Sequence, residues 1–181
     1  MTALLPWVLG TRRPAFHAAA AVLRSASWCL ALAACVGLGG VRPVYGPVSG
    51  SVGLQLNTAP DVVTRAVAEE VQHAGLRVQW LSPEEGYVET LWYNLSTRES
   101  SQEQPFRDLD RVVKMRFFAD PTAGKTRLVA ECVTVSLVDP SRPPRELERM
   151  APEGHAGREL LTQVVDRLKR RFPGTVTTGN Q

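Results

Sequence analysis

A Gly-Lys-Thr run at residues 124–126 is a candidate for phosphate binding. Residues Ala119-Asp-Pro-Thr-Ala-Gly124-Lys125-Thr126 fit the loosest form of the phosphate-binding loop, with Ala in place of the first Gly. Such a loop needs a strand before it and a helix after it, because the amides at the helix N-terminus bind the phosphates. The residues that follow are instead typical of a strand. The pattern therefore predicts a hairpin turn, and we expect no bound nucleotide.

His155 is the strongest candidate for acid–base or metal chemistry, since histidine changes its charge near neutral pH. An envelope hydrolase or a small-ligand binder would use it together with Glu153 or Asp139. However, His73 is the one other histidine after Cys35, and no cysteine or carboxylate cluster has the spacing of a metal site. We therefore expect a packing role for His155 at a helix start, with no catalytic residue, no metal and no cofactor.

The three cysteines have different surroundings. Cys29 and Cys35 lie in the apolar N-terminal part of the chain, whereas Cys132 lies in an apolar segment typical of a strand. With no second cysteine after Cys35, Cys132 has no disulfide partner there. We expect Cys132 to be a buried structural thiol rather than a nucleophile.

The N-terminal segment has the composition of an export signal. Its first 24 residues contain three arginines and no acid, and a short uncharged stretch follows from Ser25 to Ala34. That stretch is too short to cross a hydrocarbon core of about 30 Å as a helix. It ends in Leu32-Ala33-Ala34-Cys35, which closely resembles the lipobox of bacterial lipoproteins. The resemblance implies a signal peptide over residues 1–34, cleavage before Cys35, and lipid on the thiol and the new amino group of Cys35.

The same resemblance carries an expectation about location. Residue 36 is Val rather than Asp, which in lipoproteins of two-membrane bacteria favours the outer membrane, facing the periplasm, over the inner membrane. An alternative stays open, in which an uncleaved signal anchor over residues 25–41 holds an accessory subunit of a membrane complex.

Net charge argues against nucleic-acid binding. Three of the 21 basic residues and none of the 18 acidic ones precede Cys35, so a chain that starts at Cys35 has 18 of each. The basic pI belongs to the signal and not to a binding face, and we expect no nucleic-acid partner.

The residues after Cys35 predict a tether, one domain and a tail. Residues 35–56 are rich in Gly, Pro and Ser and predict a flexible tether, residues 57–173 a single α+β domain, and residues 174–181 a disordered tail. Within the domain, apolar spacing predicts a two-layer sandwich of order αββββα, a four-stranded antiparallel meander flanked by two helices. The predicted elements are helix 58–74, strands 76–80, 87–95, 111–119 and 126–138, and helix 154–172, with a bulge near Cys132.

Aromatic residues concentrate on the first predicted hairpin. Trp92 and Tyr93 are adjacent, so strand alternation cannot bury both on one face. An exposed aromatic pair suits a protein interface, and we take Trp92 and Tyr93 as a candidate partner surface. The alternative is that both sheet faces are covered.

The helix-then-hairpin segment 67–93 is weakly similar to the helix-grip domains of a lipoprotein component of the β-barrel outer-membrane assembly machinery. In both, a helix ends at Gly and a hairpin with Gly in its turn follows. Together with the lipobox, this favours a membrane-anchored, non-catalytic module for protein binding, assembly or scaffolding. Its expected partners are the membrane, through lipid on Cys35, and another envelope protein.

Overall fold

A computed structural model describes residues 40–103, 107–173 and 175–178. Residues 1–34, for which a signal peptide is predicted, and Cys35 lie outside these residues. The described part is an α+β domain with an antiparallel sheet and three helices, α1 (Pro60–His73), the one-turn α2 (Pro144–Leu147) and α3 (Ala156–Arg171). Its strands are β1 (Val52–Leu56), β2 (Val78–Ser82), β3 (Tyr87–Thr90), β4 (Trp92–Asn94), β5 (Ser100–Ser101), β6 (Val112–Thr122), β7 (Lys125–Val135), β8 (Glu148–Met150) and β9 (Val176–Thr178).

The sheet is larger than the predicted four-stranded meander. Its main path runs β2-β3-β6-β7-β1-β9, so the four predicted strands are neighbours but β1 and β9 extend the sheet beyond β7. The short strands β4 and β5 continue the sheet beside the start of β6, and β8 pairs with the end of β7. The α+β class and the antiparallel sheet are confirmed. The predicted order αββββα leaves out strands β1, β5, β8 and β9 and the helix α2.

The predicted tether and tail both contain strands. β1 lies in residues assigned to the tether, yet it pairs with β7 along its whole length, from Val52 opposite Ala130 to Leu56 opposite Thr126. Leu54 and Leu56 alternate with polar or small residues and are fully buried. β9, in residues assigned to a disordered tail, pairs with β1. Glycine and proline content obscured the alternation of apolar residues in this segment, which is the signature of a half-buried strand.

Helices α1 and α3 cover one face of the sheet, which we call the inner face. Val63, Val67 and Val71 of α1 and Leu161, Val164 and Leu168 of α3 are buried there against Met115, Phe117, Leu128 and Ala130. Cys132 belongs to this core and is fully buried, as predicted, and burial raises its thiol pKa to about 12. Gly157 lets the start of α3 approach the sheet, since a Cβ there would come within 2.5 Å of the Cγ1 of Val113. Among the described residues, no helix is long and apolar enough to cross a membrane.

The long β6–β7 hairpin corrects one prediction and confirms another. Its register is continuous from Lys114 opposite Val133 to Thr122 opposite Lys125, so the bulge predicted near Cys132 is absent from this pairing. Apolar residues lie on both faces of β7 because both faces are covered. The irregularity of the sheet occurs instead in β2, between Val78 and Trp80.

The residues of the phosphate-loop pattern form the turn of this hairpin. Ala123 and Gly124 both have positive φ, 44° and 78°, as a two-residue turn of type I′ requires. Lys125 then begins β7 rather than a helix. The turn prediction is confirmed, and no helix N-terminus is present at this position to bind a phosphate.

Candidate functional site

The outer face of the sheet, opposite the helices, carries a row of polar and aromatic residues across four strands. Register places Trp80 of β2 opposite Glu89 of β3, Glu89 opposite Arg116 of β6, and Arg116 opposite Glu131 of β7. Strand alternation predicts Lys114 and Arg116 on this face. It gives no sign that the charged side chains are buried.

Charged side chains of this row join Arg145 of α2 and Glu148 of β8 in one connected set of six, which we call the ionic cluster. Arg116 is its centre: its Nε lies 3.0 Å from Glu89, and its two terminal nitrogens lie 2.6 and 2.7 Å from the two carboxylate oxygens of Glu148. Glu131 accepts from Arg116 at 3.1 Å and from Arg145 at 2.8 Å. The cluster consists of Glu89, Lys114, Arg116, Glu131, Arg145 and Glu148, three acids and three bases.

Two central members of the ionic cluster, Arg116 and Glu89, are held in their charged forms. Burial would lower the pKa of Arg116, but bonding to Glu148 and the charge of Glu89 raise it overall. Burial would likewise raise the pKa of Glu89, but Arg116 and the bond from Lys114 hold it below its ordinary value. Burial and the hydrogen bond that Tyr87 donates to Glu89 raise the pKa of Tyr87. The pKa values of Arg116, Glu89 and Tyr87 are all shifted away from neutral pH, so their arrangement suits a structural network rather than acid–base catalysis.

An extended segment covers the ionic cluster. This segment, Arg42–Val48, is called the strap below. Its Arg42 donates to the Glu85 carbonyl at 2.8 Å and to Asp120 at 2.6 Å. Tyr45 lies with its ring centre 4.3 Å from the Arg145 guanidinium, a cation–π distance. The amide of Val48 donates to Glu131 at 2.8 Å. Part of the predicted tether is therefore docked on the domain.

Trp92 and Tyr93 are not an exposed partner surface. Trp92 is 4% exposed and Tyr93 is 7% exposed. As neighbours in β4 they point to opposite faces, as alternation requires, but both faces are covered. Tyr93 packs in the inner core, and Trp92 packs on the outer face in a second cluster with Val112, Val133, Val135 and Leu147. The covering segments are distant in sequence, so local alternation could not reveal them.

The exposed aromatic residue of this region is Trp80. It is 48% exposed and its neighbour Leu81 is 46% exposed, although both lie within a strand. Trp80 shares the outer face with Glu89, whereas Leu81 lies opposite Val88 and faces the helix side. Within the described residues β2 pairs with β3 alone, so β2 is an edge strand with one open side. The sequence places Trp80 on the first predicted hairpin, but local alternation does not identify β2 as the edge strand.

His155 has a capping role, in line with the packing role expected at the helix start. It is the N-cap of α3, and its Nδ1 accepts a hydrogen bond from the amide of Gly157 at 3.0 Å. Its Nε2 lies within hydrogen-bond distance of the carbonyl of Asp110. Because Nδ1 accepts, Nε2 carries the proton and donates. Both ring nitrogens are therefore engaged with the backbone.

The other members of the hypothetical hydrolase site are not gathered around His155. A surface cavity of about 800 Å³ is lined by His155 with Asp110, Thr134 and Arg149, but neither Glu153 nor Asp139 lines it. Asp139 is partly exposed and accepts from the hydroxyl and the amide of Ser141, which lowers its pKa. The described residues contain no group of three His, Cys, Asp or Glu side chains that could hold a metal ion.

Comparison with known proteins adds no assignment. No protein-family model matches the chain, and no curated protein matches it significantly.

Proposed function

We propose that this chain is a lipid-anchored envelope protein whose domain binds an extended segment of another envelope protein along strand β2. The basic N-terminal region and the Leu32–Cys35 run support the lipid anchor, and Val36 supports the outer membrane. The observation that supports the binding role is the open edge of β2, with Trp80 and Leu81 about half exposed on its two faces.

The chemistry of β2 suits strand addition. Proteins usually protect an edge strand with charged residues, with proline or by making it short. β2 is five residues long and reads Val-Gln-Trp-Leu-Ser, with no charge and no proline. The other outer strands are shorter: β5 and β9 have two and three residues, and β8 contains Glu148 and Arg149. An added strand would bond to the open backbone of β2 and pack its alternate side chains against Trp80 and Leu81.

The ionic cluster supports this role by fixing the strand behind the edge. Glu89 lies directly opposite Trp80, and Lys114 and Arg116 hold its carboxylate at 2.8 and 3.0 Å. A rigid neighbouring strand reduces the ordering cost that binding must offset. We infer that the buried charges preorganise the docking edge.

Two other functions remain proposals of lower rank. A hydrolase or ligand-binding role for His155 would require it to leave the cap of α3, and nothing in its contacts favours this. A signal-anchored accessory subunit would keep the same docking edge. The two proposals differ only at Cys35, which carries lipid in the lipid-anchored protein and none in the signal-anchored subunit. A mass measurement of the purified full-length protein would detect this lipid, and Cys35→Ser would abolish it.

The docking edge is tested by site-specific photo-cross-linking in the anchored, full-length protein. A photoreactive phenylalanine in place of Trp80 should give a discrete cross-link to one polypeptide. Leu81→Lys in the same protein should abolish it, because an edge lysine opposes strand addition. Leu137→Lys is the matched control, since Leu137 is 57% exposed and lies outside the sheet edge. No polypeptide cross-link, or one that survives Leu81→Lys, would contradict the proposal.

A further inference from the structure

The strap and the residue before it leave apolar surface exposed to solvent. Val44 is fully exposed, and Val41 and Tyr45 are each 41% exposed. These three residues are among eight large hydrophobic side chains that are exposed in the described part of the chain. Their concentration within five positions distinguishes this surface from the scattered apolar residues of an ordinary protein surface.

The strap holds Val44 in a fixed place. On one side of Val44, Arg42 is bound to Glu85 and Asp120, and its guanidinium lies 5.5 Å from the ring centre of Phe118. On the other side, the carbonyl of Gly46 accepts from Arg145 at 2.9 Å. Pro43 restricts the backbone between these contacts, and Pro47 restricts it directly after Gly46. Val44 therefore stands at the tip of a loop that is fastened at both ends.

Covalent geometry limits how far this tip can lie from the lipid. Arg42 is seven residues after Cys35, and a fully extended chain of that length reaches about 25 Å at most. Residues 42–56, which the sequence assigned to a tether, are bound to the domain through Arg42, Val48 and β1. A lipid on Cys35 would thus keep the strap within reach of the bilayer surface.

We infer that the tip of the strap enters the lipid interface beside the anchor, with Val44 inserted and Val41 and Tyr45 at the headgroup level. This inference rests on the proposed lipid anchor at Cys35. Valine favours the apolar side of the interface, and tyrosine suits the boundary because its ring is apolar and its hydroxyl is polar. The strap contains no acidic residue that would oppose insertion. Three side chains by themselves would bind a lipid surface only weakly. The lipid anchor makes their contact with the bilayer effectively intramolecular.

Insertion of the strap would orient the whole domain. The strap lies on the outer face, so contact at Val44 would bring that face toward the membrane and leave helices α1 and α3 on the far side of the sheet. The orientation also sets the place of the β2 edge, since Trp80 shares the outer face with the strap. A partner strand would then approach along the membrane surface.

The test measures the depth of a fluorophore at position 44. Val44→Cys in the lipidated, full-length protein is labelled with an environment-sensitive dye and reconstituted in phosphatidylethanolamine–phosphatidylglycerol vesicles with brominated acyl chains. Cys132 should not react, because it is fully buried and its thiol pKa is raised to about 12. We expect a blue-shifted emission and strong quenching by the brominated lipid. Leu137→Cys, labelled in the same way, is the matched control and should show neither effect.

A second variant checks that the tip inserts as a unit. A dye on Val41→Cys should also be quenched, and Val44→Asp in that protein should reduce the quenching, whereas Leu137→Asp should not. Val44 is fully exposed, so Val44→Asp leaves the fold intact.

The outcomes separate the strap from the anchor. If the mass of the protein confirms the lipid but the dye at position 44 stays in water, the inference about the strap is wrong while the anchor stands. A cross-link from position 44 to a polypeptide would assign the strap to a protein instead. A mass without lipid would overturn both the anchor and the inference.

Discussion

Arg116 of β6 and Glu148 of β8 form a two-pronged ion pair although they are not on adjacent strands. Both terminal guanidinium nitrogens bond to Glu148, at 2.6 and 2.7 Å, and each side chain is only 4% exposed. β7 lies between the two strands, and its Glu131 bonds to the same arginine. The pair therefore joins β8 to the centre of the sheet through side chains as well as through backbone pairing.

Arg116→Met should destabilise the domain by about 3–5 kcal/mol, because it leaves buried carboxylates without their central partner. Arg116→Lys should retain part of the stability, since it keeps the charge but loses the fork. The exposed pair Arg142–Glu146 is the control, and Arg142→Ala should change stability by about 0.5 kcal/mol or less. Urea unfolding of residues 40–181 measures all three. Equal losses for Arg116→Met and Arg142→Ala would show that the ionic cluster contributes nothing.

Acid should weaken the domain through Glu89. Its pKa in the folded protein lies below the ordinary value of 4.5, because Arg116 and Lys114 outweigh the effect of burial. As pH falls below 4.5, the unfolded state therefore binds the proton first, and the stability from Glu89 is lost progressively until pH passes its folded pKa. Glu89→Gln should lower stability at pH 7 and make its fall with acid shallower. Urea titrations between pH 7 and pH 3 measure the slope, and parallel profiles for parent and variant would contradict this assignment.

His155→Ala should cost about 1 kcal/mol, the usual value for loss of an N-cap side chain. His155→Asn should cost less, because its side-chain oxygen can also accept from the amide of Gly157. The measurement is the free energy of unfolding of each variant from urea titration. If Asn and Ala were equally destabilising, the contact with the Asp110 carbonyl rather than the cap would be the important one.

Residues 57–173, the domain range expected from the sequence, should not fold stably. This fragment lacks β1, whose Leu54 and Leu56 are fully buried, and it lacks β9 and the strap. Residues 40–181 should unfold cooperatively on heating, and residues 49–181, which lack only the strap, should be intermediate because the ionic cluster becomes uncovered. Circular dichroism melting and size-exclusion chromatography compare the three. A cooperative transition of residues 57–173 at the temperature of residues 40–181 would contradict this account.

The sequence alone determined the elements that depend on neighbouring residues. Apolar spacing identified helices α1 and α3 and the burial of Cys132, and turn-forming residues identified the turn at Ala123 and Gly124. Helix and strand periods and turn conformations are local properties. The same alternation placed Lys114 and Arg116 away from the helices. The lipid on Cys35 and the envelope location stay predictions, since Cys35 lies outside the described residues.

Tertiary structure decided what covers each face and which strand is left at the edge. Strand alternation predicts that Trp92 and Tyr93 point to opposite faces of the sheet. It does not predict that the strap and α2 cover the outer face, because both segments lie 44 or more residues from Trp92 in the chain. It likewise could not show that Arg116 is buried among carboxylates, or that Trp80 rather than Trp92 meets solvent. Burial is the sum of long-range contacts, whereas periodicity reports only direction, so the docking edge and the ionic cluster became visible only when distant segments were brought together.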